Sequence, residues 1–204
     1  MFSQALEIRQ RLYLGDHPQV AFSLTNLALA RNYLYGAVEA EPQALQAVEM
    51  YERLLPDGDP SIAWSLGVLA SLWRSSGRAA EAEPLSLRAV ELRRRQFEGD
   101  HPDLAHSLST LALVRSALGR TAEAREGFDE AAAMMRRLSP AGSSYLAHVL
   151  WQSASARMDD GDAACALPEL EEAVTIATKL LPPESHDLVR YQDSLAKCRA
   201  ALGQ

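Results

Sequence analysis

A histidine beside an aspartate can act as a general base or supply two ligands to a metal. This chain holds the pair twice in the same setting, as Gly15-Asp16-His17-Pro18 and as Gly99-Asp100-His101-Pro102. The copies stand 84 residues apart. Halfway between them lies Asp57-Gly58-Asp59-Pro60, with aspartate in the histidine place. One step further is Ala141-Gly142-Ser143-Ser144, with neither residue, and the next step reaches Pro183-Glu184-Ser185-His186. A catalytic base is not duplicated and then exchanged at equivalent loop positions. The motif reads instead as punctuation between helices. Glycine ends the incoming helix and aspartate or histidine caps the outgoing one. Proline fits the first helical turn, where its fixed φ of about −65° suits the helix and no partner for an N–H is lacking.

Other routes to chemistry are equally thin. The sequence has no phosphate-cradling glycine loop, no HExxH and no nucleophile elbow. Its two cysteines, Cys165 and Cys198, make neither a metal spacing nor a disulfide framework and read as small packing residues. The expectation is a non-enzymatic protein without cofactor or metal.

The elements that carry these loops follow from the same spacing. A period of 42 residues runs through the chain without a gap. Ala28, Ala70, Ala112, Ala154 and Ala196 share one column, and Ala5, Ala47, Ala89, Ala131 and Ala173 share another. Val20, Ile62, Leu104, Leu146 and Leu188 form an apolar column. Gly77, Gly119 and Gly161 align, as do Arg11, Arg53, Arg95, Arg137 and Lys179. Each unit reads as two amphipathic helices. In the third, Leu104, Leu108, Leu111 and Ala112 keep one helical face and Gly119 stops the helix. Thr121 is expected to cap the next helix, with Ala124, Phe128, Ala131 and Met135 inward. The alanine columns suit helices whose axes approach to about 8 Å. Pro42, Pro84 and Pro168 predict that each second helix begins close to its proline or bends there.

These residues resemble tetratricopeptide repeats of the long, 42-residue, kinesin-light-chain-like type. The resemblance rests on Gly15 to Ala28 (G-D-H-P-x-V-A, then L-x-N-L-A), on Gly77 to Leu85 (G-R-x-x-E-A-E-P-L) and on Arg88 to Leu92 (R-A-V-E-L). It covers essentially the whole chain. It implies an all-α fold: an α-solenoid, a right-handed superhelix of antiparallel helix pairs with 42-residue repeats. The expected organisation is a single solenoid over 1–204. A second-type helix spans about 1–14, four pairs span about 18–55, 60–97, 102–138 and 143–180, and a first-type helix at about 186–202 closes the array.

The resemblance also implies that first helices line a concave face whose ligand-contacting positions fall in a few columns. One reads Phe22, Trp64, His106, His148 and Arg190. Two more read Thr25, Gly67, Ser109, Trp151, Asp193 and Asn26, Val68, Thr110, Gln152, Ser194. A fourth holds Asn32, Arg74, Ser116 and Met158. The candidate peptide groove is therefore Phe22, Asn26, Trp64, Arg74, His106, His148, Trp151, Gln152 and Arg190. Phe22, Trp64 and Trp151 stand outside the repeating apolar columns, as binding anchors do. Where kinesin-type repeats carry an asparagine pair, this chain has Thr25-Asn26, and only Asn26 and Gln152 keep an amide. That departure removes the basis for kinesin-like cargo specificity. His106 and His148 share a column on successive repeats, but no third ligand is evident, so both read as neutral lining.

Charge narrows the partners. The net charge is −7 and the isoelectric point about 5.3, against sequence-independent binding of nucleic acid. Arg93-Arg94-Arg95 is the one basic run and reads as a largely solvated face. No apolar stretch approaches the ~20 residues needed to span a bilayer. The amino-terminal residues lack the look of a signal peptide, and the expected compartment is the cytoplasm. The function expected is a protein-interaction scaffold that holds a peptide segment of a partner on the concave groove. The alternative is self-assembly, or service as the sensor module of a larger protein, through an N-terminal edge where Phe2, Leu6 and Ile8 have no preceding repeat to pack on.

Overall fold

The computed structural model describes residues 2–204. Ten helices and no strand occur among them. These are α1 (Phe2–Leu12), α2 (Pro18–Tyr35), α3 (Ala37–Leu54), α4 (Pro60–Ser75), α5 (Ala79–Gln96), α6 (Pro102–Ala117), α7 (Thr121–Leu138), α8 (Ser144–Asp159), α9 (Ala163–Leu180) and α10 (His186–Ala201). They form two compact units, the first ending at Glu98 and the second spanning Gly99–Gln204. In the first, α2 pairs with α3 and α4 with α5, while α1 lies on α2. In the second, α6 pairs with α7 and α8 with α9, and α10 packs on α9 and α8.

The repeated tetrapeptide does the work of a cap. His17 Nδ1 accepts from the Gln19 N–H, and His101 Nδ1 from the Asp103 N–H, both at 3.1 Å. In the second copy Asp59 accepts from the Ser61 N–H at 2.8 Å, and in the fourth Ser143 Oγ accepts from the Leu146 N–H at 3.1 Å. Pro18, Pro60 and Pro102 each occupy the first helical turn. The aspartates of the motif do something else: Asp16 receives Arg53 at 2.8 Å and Asp100 receives Arg137 at 2.5 Å. Each closes the open end of its helix hairpin. At the other end of the hairpins, Gly77, Gly119 and Gly161 take φ of +81°, +73° and +80°. There the N–H groups of Arg78, Arg120 and Asp162 reach back to the carbonyls of Trp73, Arg115 and Arg157. That six-to-one bond needs a left-handed residue inside it, which glycine adopts without strain.

The apolar columns become the cores. Leu24, Tyr51, Ile62, Leu66 and Leu69 are buried in the first unit, and Phe128, Leu146, Leu150, Leu170 and Tyr191 in the second. Ala28, Ala70, Ala112 and Ala154 are all fully buried, and so are Ala47, Ala131 and Ala173. At the α6–α7 crossing the contact is so close that a Cβ built on Gly127 would stand 3.1 Å from Ala112 Cβ.

Three expectations are corrected. Thr121 is the first helical residue of α7, not its cap. Arg120 holds the cap position without a side-chain capping bond, and its guanidinium pairs with Glu123 at 2.6 Å instead. The second helices do not begin at their prolines. They start at Ala37, Ala79 and Ala163, five residues earlier, so Pro42, Pro84 and Pro168 lie inside them. The residues whose carbonyls lose a partner, Val38, Ala80 and Ala164, are exposed, so water can serve those oxygens. Finally, Cys198 is buried with its thiol 3.2 Å from the Ala163 carbonyl, but Cys165 is exposed and packs no core.

Candidate functional site

In the first unit the predicted site residues sit on α2 and α4. Phe22 projects from α2 and is 44% exposed. Its ring lies 5.4 Å from that of Trp64 on α4, which is half-buried against the core. The Arg9 guanidinium of α1 lies 5.7 Å from the centre of the Phe22 ring and donates to Ser23 Oγ. Phe2, Ala5, Arg9, Phe22, Ser23 and Asn26 together line a pocket of about 230 Å³. Asn26 spends one amide N–H on the Phe22 carbonyl at 2.9 Å, which leaves its oxygen to accept. Arg74, near the end of α4, is half-buried. Its Nε has no hydrogen-bond partner, and burial lowers its pKa from the ordinary arginine value.

The second unit assembles a tighter aromatic group from α8 and α10. The Trp151 ring lies 5.7 Å from His148 and 5.6 Å from Tyr191, stacked on both. The Arg190 guanidinium covers it at 4.0 Å and is held from behind by Asp187 at 2.7 Å. Trp151 Nε1–H donates to Ser194 Oγ at 2.9 Å, and His148 Nδ1 meets the Tyr191 hydroxyl at 3.2 Å. Burial first, and the Arg190 charge second, lower the pKa of His148. On α6, His106 Nδ1 stands 3.0 Å from the Tyr145 hydroxyl of α8. Ser109 donates to Gln152 Oε1 at 2.6 Å, so the Gln152 amide N–H groups remain available.

So the structure brings Phe22 to Trp64, and His148 to Trp151 and Arg190. Arg74 joins neither cluster, whereas His106 meets Tyr145 of α8 and lies close enough to His148 to act on it electrostatically. The neighbouring columns are less open than expected. Thr25, Gly67, Val68, Ser109 and Thr110 are buried, and the Thr25 hydroxyl is turned onto the Ala21 carbonyl. Only the larger side chains of those columns reach out. Residues that no column pointed to complete both clusters: Arg9, Asp187 and Tyr191. Tyr191 did leave a trace, since its column otherwise holds Ser23, Ser65, Ser107 and Val149. Of the basic run, Arg93 is buried and lies over Phe97, while Arg94 and Arg95 are exposed.

Among the described residues no group of three or more His, Cys, Asp or Glu is arranged to hold a metal ion, and no helix is long and apolar enough to cross a membrane. Residues 61–137 match the tetratricopeptide repeat family. Residues 61–137 are tetratricopeptide repeats. The kinesin light chain, nearly identical TPR-like repeats of Podosopora anserina superpose with a TM-score of 0.74 at 25% identity, covering 93% of this chain and 90% of that one. BtubC (BKLC) from P. vanneervenii superposes with a TM-score of 0.78 at 21% identity, covering 99% of this chain and 82% of that one, a likeness of fold. No curated protein matches the chain. Tetratricopeptide repeats as a class mediate protein–protein interaction, and the all-α repeat fold here is of that class.

Proposed function

We propose that the chain is a non-enzymatic scaffold whose first helices hold a peptide segment of a protein partner. The observation that carries this reading is the placement of large aromatics outside the repeating apolar columns, part-exposed yet fixed by their neighbours. Phe22 and Trp64 make one such patch in the first unit. Trp151, braced by His148, Tyr191 and Arg190, makes another in the second. An anchor already held in its bound rotamer loses little entropy on binding. The oxygen of Asn26 and the amide N–H groups of Gln152 lie on the same helices and offer an acceptor and donors to an extended backbone. Arg74 and Arg190 add cations, and His106 adds a hydrogen-bonding ring.

The test is selection of a displayed random-peptide library on the immobilised chain, followed by affinity measurement against Trp64→Ala and Trp151→Ala. Each substitution should weaken its own set of enriched peptides at least about tenfold, as expected of aromatic anchors, in a variant that still melts cooperatively, though below the parent because each ring also packs on its core. Peptides that bind both variants as tightly as the parent, or a selection that enriches none, would remove the proposal.

A further inference from the structure

In the second unit a pocket of about 160 Å³ opens between α8 and α10, with α9 as its floor. Ser155, Met158, Asp159, Leu170, Ser194 and Lys197 line it. The repeat columns show how it arises. One repeat earlier, Leu113 and Phe128 stand where this pocket has Ser155 and Leu170. Leu113 packs on the apolar cluster that holds Phe128. Serine for leucine, and leucine for phenylalanine, remove apolar volume that the chain supplies for itself in that earlier repeat. An apolar cavity of about 150 Å³ takes a group the size of benzene, so the space over Leu170 and Met158 suits one leucine or phenylalanine side chain from outside.

The pocket adjoins the Trp151 cluster. Ser194 Oγ, in its wall, accepts from Trp151 Nε1–H at 2.9 Å. Trp151 and Met158 pack on the same apolar cluster as Leu170. Trp151, Ser155 and Met158 follow the i, i+4, i+7 spacing of one face of α8, which puts the pocket about 6–10 Å along the helix axis from the indole. An extended chain advances about 6–7 Å in two residues and turns alternate side chains to the same face. One such chain therefore reaches the indole and the pocket with side chains separated by a single residue.

Charge selects the flanks. Asp159 and Asp160 lie at the carboxyl end of α8, where the helix dipole also favours a cation, and Asp193 lies beside Ser194 on α10. All three are exposed, and none makes an ion pair among the described residues. Lys197 opposes them at the pocket, but Arg190 is held by Asp187 and Arg157 by Glu169. The surround is acidic on balance and complements a basic partner.

We infer that the groove between α8 and α10 takes an extended peptide of apolar and basic character. One apolar side chain lies on Trp151, a second, with one residue between them, fills the pocket, and lysine or arginine beside them faces Asp159, Asp160 and Asp193. The inference rests on the peptide-binding proposal and deepens it by naming the class of peptide.

The probes are the displayed peptides that bind the parent and lose affinity for Trp151→Ala. They should carry two large apolar residues with one residue between them, and a neighbouring lysine or arginine. Ser155→Leu returns the side chain of the earlier repeat to the pocket and should melt no lower than the parent. It should weaken these peptides at least about tenfold, as loss of an anchor contact does. Exchanging the peptide's pocket residue for serine should cost at least about tenfold on the parent but less than about twofold on Ser155→Leu, since the two changes remove one contact. Asp159→Lys combined with Asp160→Lys should weaken the same peptides at least about tenfold and improve binding of versions with glutamate in place of lysine. Trp151-dependent peptides that bind Ser155→Leu as tightly as the parent overturn the inference and leave the peptide-binding proposal standing. So do Trp151-dependent peptides that are acidic, or that tolerate serine at every apolar position but one. A selection that enriches no peptide removes that proposal, and this inference with it.

Discussion

Burial against Trp151, together with the nearby Arg190 guanidinium, holds the His148 pKa below the ordinary histidine range. The consequence for stability has a definite sign. The unfolded chain takes up a proton on this residue near pH 6.5, while the folded protein resists it. Stability owed to the neutral ring is therefore present above about pH 6.5 and is lost as the pH falls from there through the lower folded-state value. Melting temperatures at pH 7.5 and pH 5.5 should thus fall further for the parent than for His148→Asn, whose amide cannot titrate. An equal or larger fall in the variant would show that the ring does not resist its proton. The capping histidines are a different case. His17 and His101 accept an amide N–H through Nδ1, so what they need is a lone pair, which Asp59 and Ser143 supply in the sister repeats. That interchange explains why a residue with catalytic reach recurs here without catalytic use.

At the scale of the element, the decisive contacts are between helices whose side chains are small. Ala112 lies against Gly127 where α6 crosses α7. Replacing it by leucine forces three further carbons into a fully buried position, and overpacking of this kind costs about 1–3 kcal/mol. Ala112→Leu should melt below the parent in a thermal scan. A melting temperature at or above the parent's would mean that the crossing is looser than the geometry describes. Elements of this sort were legible in the sequence because every repeat states them again: the alanine columns, the glycines after the first helices and the capped loops recur at one spacing. What did not repeat was harder to see. Arg9 and Tyr191 belong to the aromatic clusters through contacts between helices, and their columns carry no common chemistry to mark them. Thr121 was misplaced by one residue because a threonine suits the first turn as well as the cap. The prolines left a late start or a bend open, and only the late start is excluded, because proline marks a helix start only on average. Here it sits at the sixth helical position with an exposed residue four places earlier, whose carbonyl is open to water in place of the missing bond.

For the whole molecule, the cores follow from stacking. The apolar cluster around Leu24, Tyr51 and Leu66 is built from α2 to α5, and the Phe128 ring packs among Ala112, Ala124 and Ala156 of α6, α7 and α8. In a stack each helix pair draws stability from itself and its neighbours, so a lesion should be felt locally rather than shared through one centre. Phe128→Ala removes a fully buried ring, a change that costs about 3–5 kcal/mol in a packed core. Native-state hydrogen exchange should then show the largest loss of amide protection in α6, α7 and α8, with α2 and α3 much less affected. Equal loss in all ten helices would contradict this, because it would require the two compact units to unfold as one cooperative body. A local response has a functional corollary. The Phe22–Trp64 patch would keep its geometry when the Trp151 cluster is loosened, so peptides that depend on Trp64 should still bind Phe128→Ala with close to parental affinity.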